Sequence, residues 1–288
     1  MARSSKLFSA LSRRGPHRCL RGDLAFAGLP GVVYTPEAGF NLPGVAFGHD
    51  WLTDASHYLG TLEHLASWGI VAAAPNTERG VAPSVLNLAF DLGTTLDIIA
   101  GVRLGTGGIS VSPAKLGVAG HGFGGSAAVF AAAGLSGGGK RTSRPSAPKA
   151  AAALFPAVTK PNAEQPALAL KVPGLVVGAP DDRQSLRTDA MDLAHAWSGS
   201  VLRVVSKGIS SGLAEKRLVS RVVGLPGSHG RTQKTTRALL TGFLLFHLTG
   251  DKTYREFADP ETTFPKTDHP DLTAPPLTTE DQIVALLK

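Results

Sequence analysis

Gly120-His121-Gly122-Phe123-Gly124-Gly125 is the stretch on which the fold of this chain turns. The run before it, Lys115-Leu116-Gly117-Val118-Ala119, is strand-like, and Ser126 to Ala133 after it is rich in strong helix formers. Strand, glycine-rich turn, helix is the context in which G-x-S-x-G carries a nucleophile on a sharp turn. Position 122 is where that serine belongs, and it is glycine. A residue with a Cβ is held in such a turn at a cost of about 1–3 kcal/mol, which glycine avoids. Gly122 therefore preserves the turn and removes the attacking oxygen. Ser126 is no replacement, because it lies about one helical turn (~5.4–6 Å) further on.

Outward from this point, strands and helices alternate. Gly31–Tyr34, Val45–Phe47, Ile70–Ala74, Ala150–Phe155, Leu175–Val177 and Val201–Val205 read as strands. Helices are predicted over Ser56–Trp68, from Ser84 as N-cap to Gly101, over Asp189–Trp197 and over Thr235–Thr249. Leu218–Val223 is expected to form a further strand, paired as a hairpin with 201–205. The uninterrupted apolar run at Ile70–Ala74 belongs in a sheet buried on both faces. The fold class is therefore α/β: a mostly parallel sheet with helices on both faces. The segments are a basic N-terminal stretch over 1–22, one domain over 23–258, and a Pro/Thr-rich tail over 259–288. A short helix is expected in that tail, from the capping box of Thr279 and Gln282.

The chain has 288 residues, 43% of them apolar and 18% charged, which describes a globular protein with an ample core. Cys19 is its only cysteine, so no internal disulfide forms, which suits a reducing, cytoplasmic compartment. Met1–Arg21 has six basic residues but no apolar run long enough for a secretory signal, and no stretch approaches a membrane span. The net charge of +7 is spread without aromatic stacking or a nucleic-acid motif, which argues against nucleic acid as a partner. Leu7, Phe8 and Leu11 could line one apolar turn, leaving weak membrane-surface contact through residues 1–21 as an expectation. The C-terminal tail is a second expected contact surface, for a partner protein.

Acyl transfer at such a turn needs a nucleophile, an acid after a later strand, and then a histidine. The order in this chain is Gly122, then Asp181-Asp182, then His229. Two N–H groups must also converge on the developing oxyanion. Phe123 and the Gly48-His49 turn are the expected donors, and Asp50 beside them would oppose the charge unless it points into solvent. His49, Asp50, Asp54, His57 and His64 fit no zinc spacing, and no Lys-Ser/Thr pair follows the glycines, so neither metal nor cofactor is expected.

The chain resembles the bacterial polyester-hydrolase (cutinase-like), dienelactone-hydrolase and chlorophyllase-like branch of the α/β-hydrolases. The resemblance is carried by Phe47-Gly48-His49, Leu65–Val71, Gly117–Gly125, Gly178-Ala179-Pro180-Asp181-Asp182, Gly227-Ser228-His229 and Thr249–Tyr254, in order from about Pro30 to Pro260. It implies ester hydrolysis by a Ser-His-Asp triad in which Asp182 is the acid and His229 the base. The family's elbow is G-H-S-x-G-G, so this chain departs from it at the attacking residue. Asp50, Trp51 and His121 are the expected ligand contacts. The resulting expectation is a disarmed hydrolase-fold protein that binds an apolar ester or acyl ligand. Two alternatives stand beside it: slow hydrolysis by a water that His229 and Asp182 activate, and a non-catalytic scaffold.

Overall fold

The computed structural model describes residues 2–135, 147–180, 190–215 and 227–268. Nine strands form one sheet: β1 (Cys19–Asp23), β2 (Gly31–Pro36), β3 (Gly39–Gly48), β4 (Val71–Pro75), β5 (Ile109–His121), β6 (Ala150–Leu154), β7 (Gly174–Gly178), β8 (Ser200–Val205) and β9 (Thr267–Asp268). Their order is β1-β2-β4-β3-β5-β6-β7-β8-β9. Strands β3 to β8 pair in parallel, while β1, β2 and β9 add antiparallel margins. The helices are α1 (Ala2–Leu11), α2 (Leu59–Ser67), α3 (Val85–Gly101), α4 (Phe123–Ala132), α5 (Glu164–Ala167), α6 (Ala190–Ala196) and α7 (Gly230–Thr249).

Alternation along the strands makes two cores. Val45, Phe47, Ala72, Ala74, Ala152 and Leu154 face one layer, which α1, α2 and α7 cover. Ala46, Val71, Ala73, Ala151 and Ala153 face the other, covered by α3, α4 and α6. A period of two with both faces apolar is what a parallel sheet between helix layers requires.

The winding fixes where a site can lie. From β3 the chain passes through α2 on one face to β4. It then crosses to the other side of β3 for β5, whose following helix α4 lies on the opposite face. Between β3 and β5 the connections leave in opposite directions, and in open α/β sheets ligands bind in such a crevice, at the carboxyl ends of the strands.

Both ends of the described chain belong to the fold. The apolar turn of the basic N-terminal stretch packs inward: Phe8 and Leu11 are buried and Leu7 packs against them, so these side chains are not available to a lipid surface. Phe264 stacks on Phe257 and Phe8, at ring centroid distances of 4.4 and 5.5 Å. Thus residues 259–268 extend the domain. Arg203 on β8 is buried under them, donating to the Asp259 and Pro260 carbonyls and lying over the Phe264 ring. Burial pulls its guanidinium down to about 10, against the raising influence of Asp259 and Glu261. The antiparallel partner of β8 is β9. The expected strand at 218–223 and the helix from Thr279 lie outside the described residues. Helix α7 begins at Gly230, earlier than its apolar period suggests, because His229 caps it. Among the described residues no helix is long and apolar enough to cross a membrane.

His64 on α2 is a titratable group inside this packing. Burial holds it down to about 4, with the nearby Arg237 adding to the effect and a hydrogen bond with the Leu11 backbone partly offsetting it. The native ring is neutral while the unfolded ring charges below its ordinary value of 6.5, so the unfolded state binds more protons between those limits. Stability is then full above pH 6.5 and declines towards pH 4 by on the order of 3 kcal/mol from this group. Urea midpoints measured from pH 7 to pH 4 should fall, and His64→Leu should remove that part of the slope. A slope unchanged in His64→Leu would place the acid sensitivity elsewhere.

Candidate functional site

Three glycines bring the elements of the site together. Gly48 ends β3, Gly120 lies near the end of β5, and Gly124 is in the first turn of α4. A Cβ on Gly124 would stand 2.3 Å from the Gly48 carbonyl, and one on Gly120 would meet the Gly124 carbonyl at 2.1 Å. Backbone therefore packs directly on backbone, and the N-terminus of α4 is drawn down onto the crevice between β3 and β5.

Gly122 makes the turn. Its φ of 53° and ψ of −118° match the first central position of a type II′ turn, where glycine is favoured. Its N–H donates to Leu154, and its carbonyl accepts from Gly125, Ser126 and Ala157. Ser126 is buried and donates its hydroxyl to the Ala157 carbonyl, which excludes it as an attacking group.

The space a side chain at 122 would use is filled. An ideal Cβ there would lie 1.9 Å from Asp50 Oδ1 and 3.0 Å from Asp50 Oδ2. The carboxylate points into the turn, not into solvent. Oδ1 accepts from the Phe123 N–H at 3.0 Å and from the Trp51 N–H at 2.8 Å. The N–H groups of Phe123 and Trp51 thus converge on one carboxylate oxygen. His49 is buried, with Nδ1 2.9 Å from the Asp50 carbonyl and Nε2 2.7 Å from that of Thr77.

His121, expected to touch ligand, is buried. Its Nε2 donates to the Ser210 carbonyl, and its Nδ1 accepts from the Tyr58 hydroxyl, both at 2.8 Å. Tyr58 in turn accepts from the Asp50 N–H at 3.2 Å. This chain of contacts runs from the Asp50 backbone to the Ser210–Leu213 turn. Nothing in the spacing around Tyr58 singles it out beforehand, since its partners are 8 and 63 residues away.

His229 caps α7 with its side chain, and its Nδ1 lies 2.8 Å from Thr232 Oγ1. Its N–H donates to Gly212, so it adjoins the same Ser210–Leu213 turn that His121 holds from the other side. Asp182 and Asp181 lie outside the described residues; β7 ends at Gly178, three positions before Asp181. The loose histidine cluster also resolves. His57 pairs with Asp54 at 3.0 Å, His64 is buried, and among the described residues no three acidic, histidine or cysteine side chains converge as metal ligands.

This edge carries some of the chain's strained backbone and exposed apolar side chains. Leu52, Glu78, Phe155 and Lys207, each just beyond a strand's carboxyl end, have positive φ. Such backbone costs about 1–3 kcal/mol per residue and concentrates at functional sites. Trp51, Leu52, Val81 and Val158 are exposed, and the Trp51 indole donates to the Val81 carbonyl. No protein-family model matches the chain, and no match to a curated protein was found.

Gly122 and Asp50 should be energetically coupled. In the native background Gly122→Ala should cost backbone strain of about 1–3 kcal/mol and, in addition, displace a carboxylate held by charge-assisted hydrogen bonds worth about 1.5–3 kcal/mol each. In an Asp50→Gly background only the strain should remain. A double-mutant cycle in urea should read that difference, and additivity within about 0.5 kcal/mol would show that the two do not compete for the space.

Proposed function

We propose that this chain is an α/β-hydrolase-fold protein related to carboxylic ester hydrolases, disarmed for acyl transfer, that binds an apolar ester or acyl ligand at the Gly122 crevice. The fold assignment is supported by the strand–Gly122–helix turn in the middle of a mostly parallel sheet, with the β3 and β5 ends meeting at a change of winding direction.

One observation carries the functional reading: the Asp50 carboxylate occupies both the nucleophile's space and the N–H cradle. An acyl substrate would have to develop its negative oxygen where a carboxylate oxygen already stands, and like charges at such separations repel strongly. The water of a slow His229/Asp182 route would need the same space, which disfavours that alternative. The ligand's apolar character follows from the rim, where Trp51, Leu52, Val81 and Val158 present exposed hydrocarbon.

Restoring the serine alone should therefore fail. Gly122→Ser is expected to lower stability and give no turnover of p-nitrophenyl butyrate, whereas Gly122→Ser with Asp50→Gly should hydrolyse it. Equal turnover by the single and double variants would mean that Asp50 is not the obstruction. Ligand binding has its own measurement. Octanoate and its methyl ester should raise the melting temperature with dose, because a ligand of the native state stabilises it by mass action. The absence of any shift across an acyl series would favour the scaffold alternative.

A further inference from the structure

The two margins of the sheet are built differently. At one end β9 has only two residues, and a strand that short offers a neighbour little to pair with. At the other end β1 runs for five residues, Cys19–Asp23, without a proline. Among the described residues β2 is its only partner in the sheet. Two backbone bonds at its ends fix which way its polar groups turn. The Glu37 N–H donates to the Arg18 carbonyl at 2.9 Å, and the Leu24 N–H donates to that of Gly31 at 3.0 Å. Hydrogen-bonded pairs alternate along an antiparallel ladder, so Arg18, Leu20, Gly22 and Leu24 direct their main-chain groups to β2. Cys19, Arg21 and Asp23 direct theirs outward. Leu20, Arg21, Gly22 and Asp23 are all exposed, so the strand is open to a neighbour.

We infer that this margin pairs with the same margin of a second copy of the chain, about a two-fold axis at Gly22, so that one sheet runs through both protomers. Outward groups must meet outward groups, which restricts the pairing to registers that set Cys19, Arg21 and Asp23 against one another. With the axis at Arg21, two guanidinium groups would stand directly opposite, which is unfavourable. With the axis at Gly22, Arg21 of each copy lies opposite Asp23 of the other. Opposite charges then meet twice on one face of the joined sheet. Gly22 takes the close, non-hydrogen-bonded position on the axis and has no side chain to obstruct it.

The neighbouring cations do not oppose this pairing. Arg18 stands four residues from Gly22, so the two copies of Arg18 lie about 27 Å apart along the strands at ~3.4 Å per residue. That is well beyond the screening length of about 8 Å. Leu20 and Phe26, exposed by 41% and 62%, give the same margin hydrocarbon to bury on association. Charges that only kept other strands away would be of one sign. Here both signs occur, at a spacing that complements itself. The pairing makes no use of the Gly122 crevice and stands apart from the acyl-ligand reading.

The test is sedimentation equilibrium of the full chain over a wide range of concentration. The weight-average mass should rise from 29.8 kDa towards twice that value. Arg21→Asp sets carboxylates opposite carboxylates and should weaken association about tenfold. Arg21→Asp combined with Asp23→Arg should restore it. Cross-linking reads the register separately. In a Cys19→Ser background, Gly22→Cys places two thiols on the axis, where a Cα spacing of about 4.5 Å suits a disulfide. Oxidation should then give a covalent dimer, and Arg21→Cys in the same background should give far less. A mass of 29.8 kDa at every concentration would overturn the pairing. So would a dimer that Arg21→Asp leaves intact, or one that Gly22→Cys does not cross-link, since either would place the contact on another surface. If the charge-exchanged chain does not fold, the native chain and the cross-link decide.

Discussion

The backbone contact among Gly48, Gly120 and Gly124 is the constraint from which the rest of the site follows. Side chains normally separate a helix from the sheet it covers, and here β3, β5 and α4 meet with none between them. That contact sets the depth of α4 against β3 and β5. It thereby delivers the Phe123 N–H to the loop that leaves β3, where Asp50 is waiting as an acceptor. Widening the contact by one methyl group would separate donor and acceptor, whatever residues stood at 50 and 122.

The site's charge arrangement depends on the same closeness. A carboxylate at the first turn of a helix is favoured by the helix dipole and by the unpaired N–H groups there. Asp50 satisfies one of those groups from a neighbouring segment and so joins β3 to α4 by charge as well as by packing. The positive-φ residues beyond β3, β4, β6 and β8 belong to the same edge. Strain of this kind persists only where the surroundings over-determine it, and the double core on either side of the sheet is what does so here.

Much of the layering was legible in the sequence, because buried parallel strands and their covering helices leave periods of two and 3.6 that composition does not blur. The apolar run at Ile70–Ala74, the helix capped at Ser84 and the Gly122 turn all announce themselves locally. What stayed hidden depends on distant partners. The pairing of β8 with Thr267–Asp268 leaves no trace in either segment alone. The inward packing of Phe8 and Leu11 looks, from spacing, the same as a turn that lies on a lipid surface. Asp50 is recognisable as an ill-placed charge, but its direction is decided by the N–H groups of Phe123 and Trp51. His121 is adjacent to the turn in sequence and yet faces away from it, into bonds with Tyr58 and Ser210.

The stacked rings of Phe8, Phe264 and Phe257 join the first helix to the last strand's approach. These rings clamp α1 to the segment that leads into β9, so tension applied between residues 8 and 264 loads the stack and the Arg203 carbonyl contacts before it reaches the parallel sheet. The crevice between β3 and β5 contributes no ring or carbonyl to that clamp and would keep its shape as the clamp gives way.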